Sequence, residues 1–170
     1  KSGISLKIIS ASRSFYHQKS IWEAKWSGKR RVGDIRNARR SIKNPTKRAL
    51  KILEYSSMPG SSRHHWGTDI DLNAFNNRYF ERGAGKKVYN WLVKNAPRYG
   101  FCQPYTRKDA SRPNGYNEEK WHWSFVPLAS KYLEFYNSNI KTEDISEFEG
   151  SQLAKDLHII EDYVNGIPNE

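Results

Sequence analysis

Cysteine is almost missing: Cys102 is the only one in 170 residues. No intrachain disulfide can form, and a zinc site built from thiolates is excluded. A lone thiol between Phe101 and Gln103 is expected to be a small buried apolar residue rather than a nucleophile. The count is compatible with either a reducing or an oxidising compartment. Long apolar runs are also absent. None approaches the 18 residues that mark a transmembrane helix, so none is expected. Apolar residues reach only 36%, yet six Trp, ten Tyr and seven Phe each bury a large area. That suffices for a core, and the length suits one domain over 1–170. The chain opens at Lys1 with neither Met nor an apolar leader, as a processed or trimmed chain would.

Acids are scarce at one end. Residues 1–55 carry fifteen Lys/Arg against three Asp/Glu, whereas residues 142–170 carry one Lys against eight acids. A basic segment can face nucleic acid, but no zinc-finger, RNA-recognition or basic-zipper pattern accompanies it. Solvated basic helices are the plainer reading, and no nucleic-acid partner is expected.

Periodicity gives a mixed order of elements. Leu6 to Ser10 reads as a short strand. Phe15, Ile21, Trp22 and Trp26 predict a helix from Ser14 that stops at Gly28. A basic loop or helix spans 30–43. Asn44-Pro45 is an N-cap followed by proline, opening a helix to about Tyr55. Thr68, Ile70 and Leu72 alternate with Asp69, Asp71 and Asn73, as in a strand with two unlike faces. Further helices are predicted over 85–96 and 127–137, strands over 99–103 and 121–126, and an exposed loop over 106–118. Two short acidic helices near 142–148 and 151–165 complete the chain. The class is α+β with an antiparallel sheet.

Two stretches carry chemistry: Ser62-Arg63-His64-His65-Trp66-Gly67-Thr68-Asp69-Ile70-Asp71 and Glu119-Lys120-Trp121-His122-Trp123. A catalytic zinc takes three nitrogen or carboxylate ligands and leaves one position for water. His64, Asp71 and His122 are candidates for the three, and Glu119 for the base that takes a proton from water. His65 points the opposite way from His64 in an extended chain and reads as packing. Asp69 shares the parity of Asp71, so it is either a rival ligand or a group orienting a ligand histidine. Trp66, Trp121 and Trp123 read as walls and core.

Ser-x-His-x-x-Gly-x-x-x-Asp followed by Glu-x-x-His resembles the zinc D-Ala-D-Ala carboxypeptidase family. That family includes vancomycin-resistance D,D-carboxypeptidases, L,D-carboxypeptidases and phage endolysin peptidases. Ser10-Ala11-Ser12-Arg13-Ser14-Phe15-Tyr16-His17-Gln18 resembles its N-terminal block, with Ala11 and Ser12 where Gly and Tyr are usual. The resemblance spans roughly residues 8–126. It implies a small antiparallel sheet with helices packed on it, and one zinc ion held by His64, Asp71 and His122. It implies Glu119 as catalytic base, Arg13 as the cation facing developing charge, and Ser62 and Gln18 as substrate contacts. The implied partner is a peptidoglycan stem peptide, and the implied location is the periplasm, cell envelope or exterior, with the chain a monomer. A basic protein would also be drawn to an anionic cell wall. D-alanyl-D-alanine carboxypeptidase activity is the expectation. An endopeptidase, an L,D-carboxypeptidase and a metal-containing wall-binding module are the alternatives, and a binding module would have no chemical need for Glu119.

Overall fold

A computed structural model describes residues 3–168. In chain order the elements are β1 (Ile8–Ser10), α1 (Phe15–Trp26), α2 (Ala38–Ser41), α3 (Pro45–Leu53), β2 (Asp69–Leu72), α4 (Gly83–Asn95), β3 (Phe101–Cys102), β4 (His122–Phe125) and α5 (Val126–Asn139). Short 3-10 turns lie between them, among them Arg63–Trp66. The sheet order is β1-β2-β4-β3, antiparallel throughout. The α+β class and its antiparallel sheet are therefore as expected.

Local chemistry explains the helix starts. The Ser14 hydroxyl accepts the His17 N–H ahead of α1. Asn44 accepts the Lys47 N–H ahead of α3, with Pro45 in the first turn where its missing N–H costs nothing. Of the basic stretch 30–43, only Ala38–Ser41 is helical, capped by Asn37.

Two apolar clusters hold the molecule. One joins Trp22 and Trp26 of α1, Ala49, Ile52 and Leu53 of α3, and Ile145, Phe148, Leu157, Ile159 and Tyr163 near the C-terminal end. The other sets Leu72, Trp121 and Trp123 against Phe80 and against Val88 and Leu92 of α4, with Ile70 packed beside them. Each fully buried large side chain contributes roughly 1.5–3 kcal/mol relative to exposure. Because Ile70 and Leu72 turn toward α4, strand alternation sends Asp69 and Asp71 to the other face. His122 and Ser124 join them, since Asp71 pairs with His122 and Asp69 with Ser124 across the β2–β4 ladder.

Three expectations need correction. The acidic C-terminal segment forms no α-helix. It makes 3-10 turns at Thr142–Asp144 and Ser151–Leu153 and a π-helical turn at Ile159–Val164. Positive φ at Glu147, Gly150 and His158 breaks the run, and buried anchors dictate its path. The loop 106–118 is not wholly exposed. Arg112 is buried and donates to the carbonyls of Thr106, Asn114 and Tyr116, bracing the loop from within. Cys102 is half-buried rather than buried.

Candidate metal centre

His64, Asp71 and His122 are all buried, and each offers a ligand atom within 4.8 Å of the others. Three elements deliver them: the 3-10 turn brings His64, β2 brings Asp71 and β4 brings His122. Gly67 closes that turn with φ +72°, a left-handed residue that lets the chain enter β2 directly. His64 and Asp71 thus reach one point although six residues lie between them.

Both histidines are tied by the nitrogen that faces away. His64 Nδ1 lies 2.8 Å from the Ala11 carbonyl and donates to it, leaving Nε2 3.2 Å from Asp71 Oδ2. His122 Nε2 lies 2.7 Å from Asp69 Oδ2, leaving Nδ1 3.1 Å from Asp71 Oδ1. The edge of a tetrahedron with zinc–ligand arms of about 2.0–2.1 Å is about 3.3–3.4 Å, close to both separations. Asp71 Oδ1 is buried without a hydrogen bond. With the His122 proton on Nε2, two lone pairs face each other across 3.1 Å. A positive charge between them, proton or metal, resolves that conflict. The donor set fits a tetrahedral zinc with its fourth position left to water.

The electrostatics agree. Burial opposes charge on His122, but hydrogen bonds to Asp69, Asp71 and Glu119 outweigh it and push the imidazole well above its usual range. Burial would raise Asp71, yet His122 and His64 hold its carboxyl below the usual carboxylate range. Three carboxylates around two imidazoles make a pocket for a cation.

Asp69 stands behind His122, outside the cluster of three candidate donors. It is fully buried and accepts from Ser124 Oγ at 2.8 Å, Thr68 Oγ1 at 2.8 Å and Arg63 Nε at 3.2 Å, besides His122. Burial would raise its pKa, but His122 and Arg63 hold it low. Its carboxylate orients His122 in the way outer groups orient metal-binding imidazoles.

Glu119 is buried, with Oε2 3.5 Å from His122 Nδ1 and its N–H on the Tyr105 carbonyl. Burial pushes its carboxyl up. Arg13 Nη2 stands 3.8 Å from Asp71 Oδ2 and 2.9 Å from Ser10 Oγ, while Nη1 donates to Gln18 Oε1 at 2.7 Å. Gln18 is fully buried, and its amide N–H donates to the Ser57 carbonyl at 2.7 Å. Each end of that amide thus has a partner within the protein, and its oxygen braces Arg13. Ser62 caps no helix with its side chain and lines the cleft. His65 packs as expected: Nδ1 meets the Arg13 carbonyl at 2.6 Å and Nε2 accepts the Gly60 N–H at 3.1 Å. It thereby fixes the backbone of Arg13.

These groups meet in a cleft of about 610 Å³, whose lining includes Arg13, Ser62, His64, Asp71, Glu119 and His122. Trp121 also lines it, Trp123 lies in the core and Trp66 packs on Tyr136 and Arg63. Sequence reading missed Tyr105, whose ring lies 4.7 Å from that of His122, and the cleft-lining Lys25 and Arg30. Tyr105 has no motif spacing to betray it. Lys25 was legible in principle, because His17, Ile21 and Lys25 recur every four residues along one face of α1.

The family model described as VanY, D-alanyl-D-alanine carboxypeptidase, matches residues 1–128. The chain belongs to this family. An uncharacterized Haemophilus influenzae (strain ATCC 51907 / DSM 11121 / KW20 / Rd) protein is 30% identical over 94 residues, 47% of this chain and 69% of that protein. A mutant of the vancomycin-resistance D,D-pentapeptidase VanY from a VanB-type cassette, solved with Zn(II), is 26% identical with a TM-score of 0.53. The match covers 76% of this chain and 66% of that one, so this VanY-family chain spans just under two thirds of that protein's length. VanYB in complex with D-alanine-D-alanine is 24% identical with a TM-score of 0.56, over 82% of this chain and 74% of that one. The LdcB LD-carboxypeptidase is 22% identical with a TM-score of 0.51, over 84% and 65%. These last two, under 25% identity, speak to the fold alone.

Proposed function

We propose that this chain, acting as a single domain and a monomer, is a metallopeptidase that removes the terminal D-Ala from peptidoglycan stem peptides. It would do so at the cell envelope or outside the cell, with one zinc ion held by His64, Asp71 and His122. The observation that carries the reading is the convergence of these donors with Glu119 and Arg13 on one cleft floor. Zinc, when held there, supplies Lewis acidity, lowering the pKa of a water toward about 7 and polarising the scissile carbonyl.

The protein's own groups do the rest. Glu119 accepts the proton of the attacking water as its oxygen joins the carbonyl carbon. Its raised basicity suits that task. Negative charge then builds on the former carbonyl oxygen, and the Arg13 guanidinium, braced by Gln18 and Ser10, meets it. Glu119 returns the proton to the departing amine as the carbon–nitrogen bond breaks, leaving a carboxylate and free D-Ala. Ser62 offers a hydroxyl to the substrate along the cleft wall. Asp69 holds the His122 ring and Tyr105 packs against it, keeping the geometry fixed.

The test is mass spectrometry after incubation with a stem pentapeptide, a tetrapeptide and a crosslinked dimer. Loss of one terminal D-Ala from the pentapeptide is expected, stopped by a chelator and restored by zinc. Glu119→Gln keeps shape but cannot take the proton, so turnover falls about 10²- to 10⁴-fold with zinc content unchanged. A variant near the wild-type rate would refute the role of Glu119, and cleavage of the dimer alone would refute the exopeptidase reading.

A further inference from the structure

The cleft carries more positive charge than the reaction above uses. On α1, His17, Ile21 and Lys25 form a row that lines one wall, and Arg30 follows just beyond the helix. Arg13 and Glu119 lie in the same cleft. Lys25 is half-buried and its Nζ makes a short contact with Ser56 Oγ, a neutral partner. Among the described residues no carboxylate stands within ion-pair distance of Lys25 or Arg30. Burial above all, with Arg30 and Arg13 adding to it and Glu119 opposing, brings the Lys25 pKa down to about 8, so Lys25 feels all three charges.

Lys25 is half-buried with a neutral hydroxyl as its direct partner, and the exposed Arg30 adds like charge beside it, while Arg13 already stands near Asp71. Such an arrangement persists where an anion from outside completes it. The hydroxyl of Ser56 beside Lys25 adds a neutral donor, and Ile21 gives the row an apolar step before the charge. A carboxylate matches this set: small, singly charged and able to accept from an ammonium, a guanidinium and a hydroxyl together.

We propose that Lys25, Arg30 and Ser56 form a carboxylate-binding subsite in the cleft, which selects peptide substrates by a carboxylate next to the reacting bond or within the stem. This rests on the peptidase reading and deepens it. If the bound group is the C-terminal carboxylate, the subsite makes the enzyme an exopeptidase, because a crosslinked or extended chain has no charge to place there. If it is a carboxylate inside the stem, the subsite reads peptide composition instead.

The experiment uses the zinc-loaded protein and three peptides: a stem pentapeptide with free carboxylates, the same peptide amidated at its C-terminus, and the same peptide amidated at its internal D-glutamyl α-carboxylate. Dissociation constants, measured in the Glu119→Gln background, and KM and kcat in the wild type are compared with Lys25→Met, Lys25→Arg and Arg30→Ala. Losing one charge-assisted hydrogen bond weakens binding about 10- to 100-fold. The free peptide should show that loss in Lys25→Met, mainly in KM, with most of it recovered in Lys25→Arg. One amidated peptide should be insensitive to Lys25→Met, and which one identifies the carboxylate. Above pH 8 the wild type should lose affinity for the free peptide as Lys25 deprotonates, while the Lys25→Arg protein should keep it. Equal effects of Lys25→Met on all three peptides would overturn the subsite, since the loss would then be structural. Unchanged binding of the free peptide by Lys25→Met would overturn it too, leaving the peptidase reading intact. Failure of the wild type to bind any of the three would overturn both.

Discussion

Arg13 shows how one residue's role depends on its neighbours. Gln18 and Ser10 hold its guanidinium, and His65 holds its backbone, so the charge is aimed before any ligand arrives. Preorganised donors of this kind are worth about 2.7–4 kcal/mol in a transition state. Lys keeps the charge but not the forked donor geometry. Arg13→Lys should therefore lose most activity and Arg13→Ala nearly all, with zinc content unchanged. Gln18→Ala should follow Arg13→Lys in lowering kcat; a pure rise in KM would show that Gln18 touches substrate after all. Asp69 makes a second prediction at this scale. Asp69→Asn should weaken zinc about 10- to 100-fold in a chelator competition, since groups behind a ligand histidine carry effects of that size. Unaltered affinity would reduce Asp69 to a partner for Arg63. The candidate donors His64, Asp71 and His122, with Glu119 and Arg13, were legible because their blocks together match a family pattern, which also favoured Asp71 over Asp69. Parity alone could not choose between the two carboxylates, because Asp69 and Asp71 share a strand face.

At the scale of elements, the turn before β2 is where sequence and site meet most tightly. Gly67 sits at φ +72° with nothing within 4 Å of where a Cβ would stand. Substitution there meets backbone strain and no clash. Gly67→Ala should cost roughly 1–2 kcal/mol in denaturant unfolding, and Gly67→Asn less, because Asn tolerates the left-handed region. If alanine proved neutral, the left-handed link between His64 and β2 would not be strained. Helix starts at Ser14 and Asn44 and the two-faced strand β2 were readable, since caps and alternation are local signals. The C-terminal region was not. Its turns follow anchors such as Phe148 and Ile159, whose burial against Trp22 and its neighbours is a long-range fact. Arg112 escaped reading for a related reason: polar loop composition suggests exposure, and nothing local reveals that carbonyls converge on its guanidinium.

Across the whole molecule, charge divides between near and far effects. Arg30 lines the cleft, whereas Lys29, Arg31, Arg36 and Arg40 surround a separate surface notch of about 820 Å³. The basic N-terminal third therefore holds both a contact and a field. Replacing Arg31, Arg39 and Arg40 together by alanine should leave hydrolysis of a small peptide unchanged. It should weaken binding to intact cell walls at low salt, a difference that fades as the Debye length shrinks to about 8 Å near 0.15 M salt. Loss on the small peptide would mean that this surface reaches the cleft. The sheet order β1-β2-β4-β3 has a consequence of another kind. The strand latest in sequence lies inside the sheet, between β2 and β3. While the chain is being synthesised, β2 waits with one edge unpaired until residues 122–125 leave the ribosome, and an open edge invites another strand. A nascent chain halted before His122 would hold two of the three candidate donors and a bare strand edge, and would be a client for chaperones or aggregation rather than a smaller enzyme.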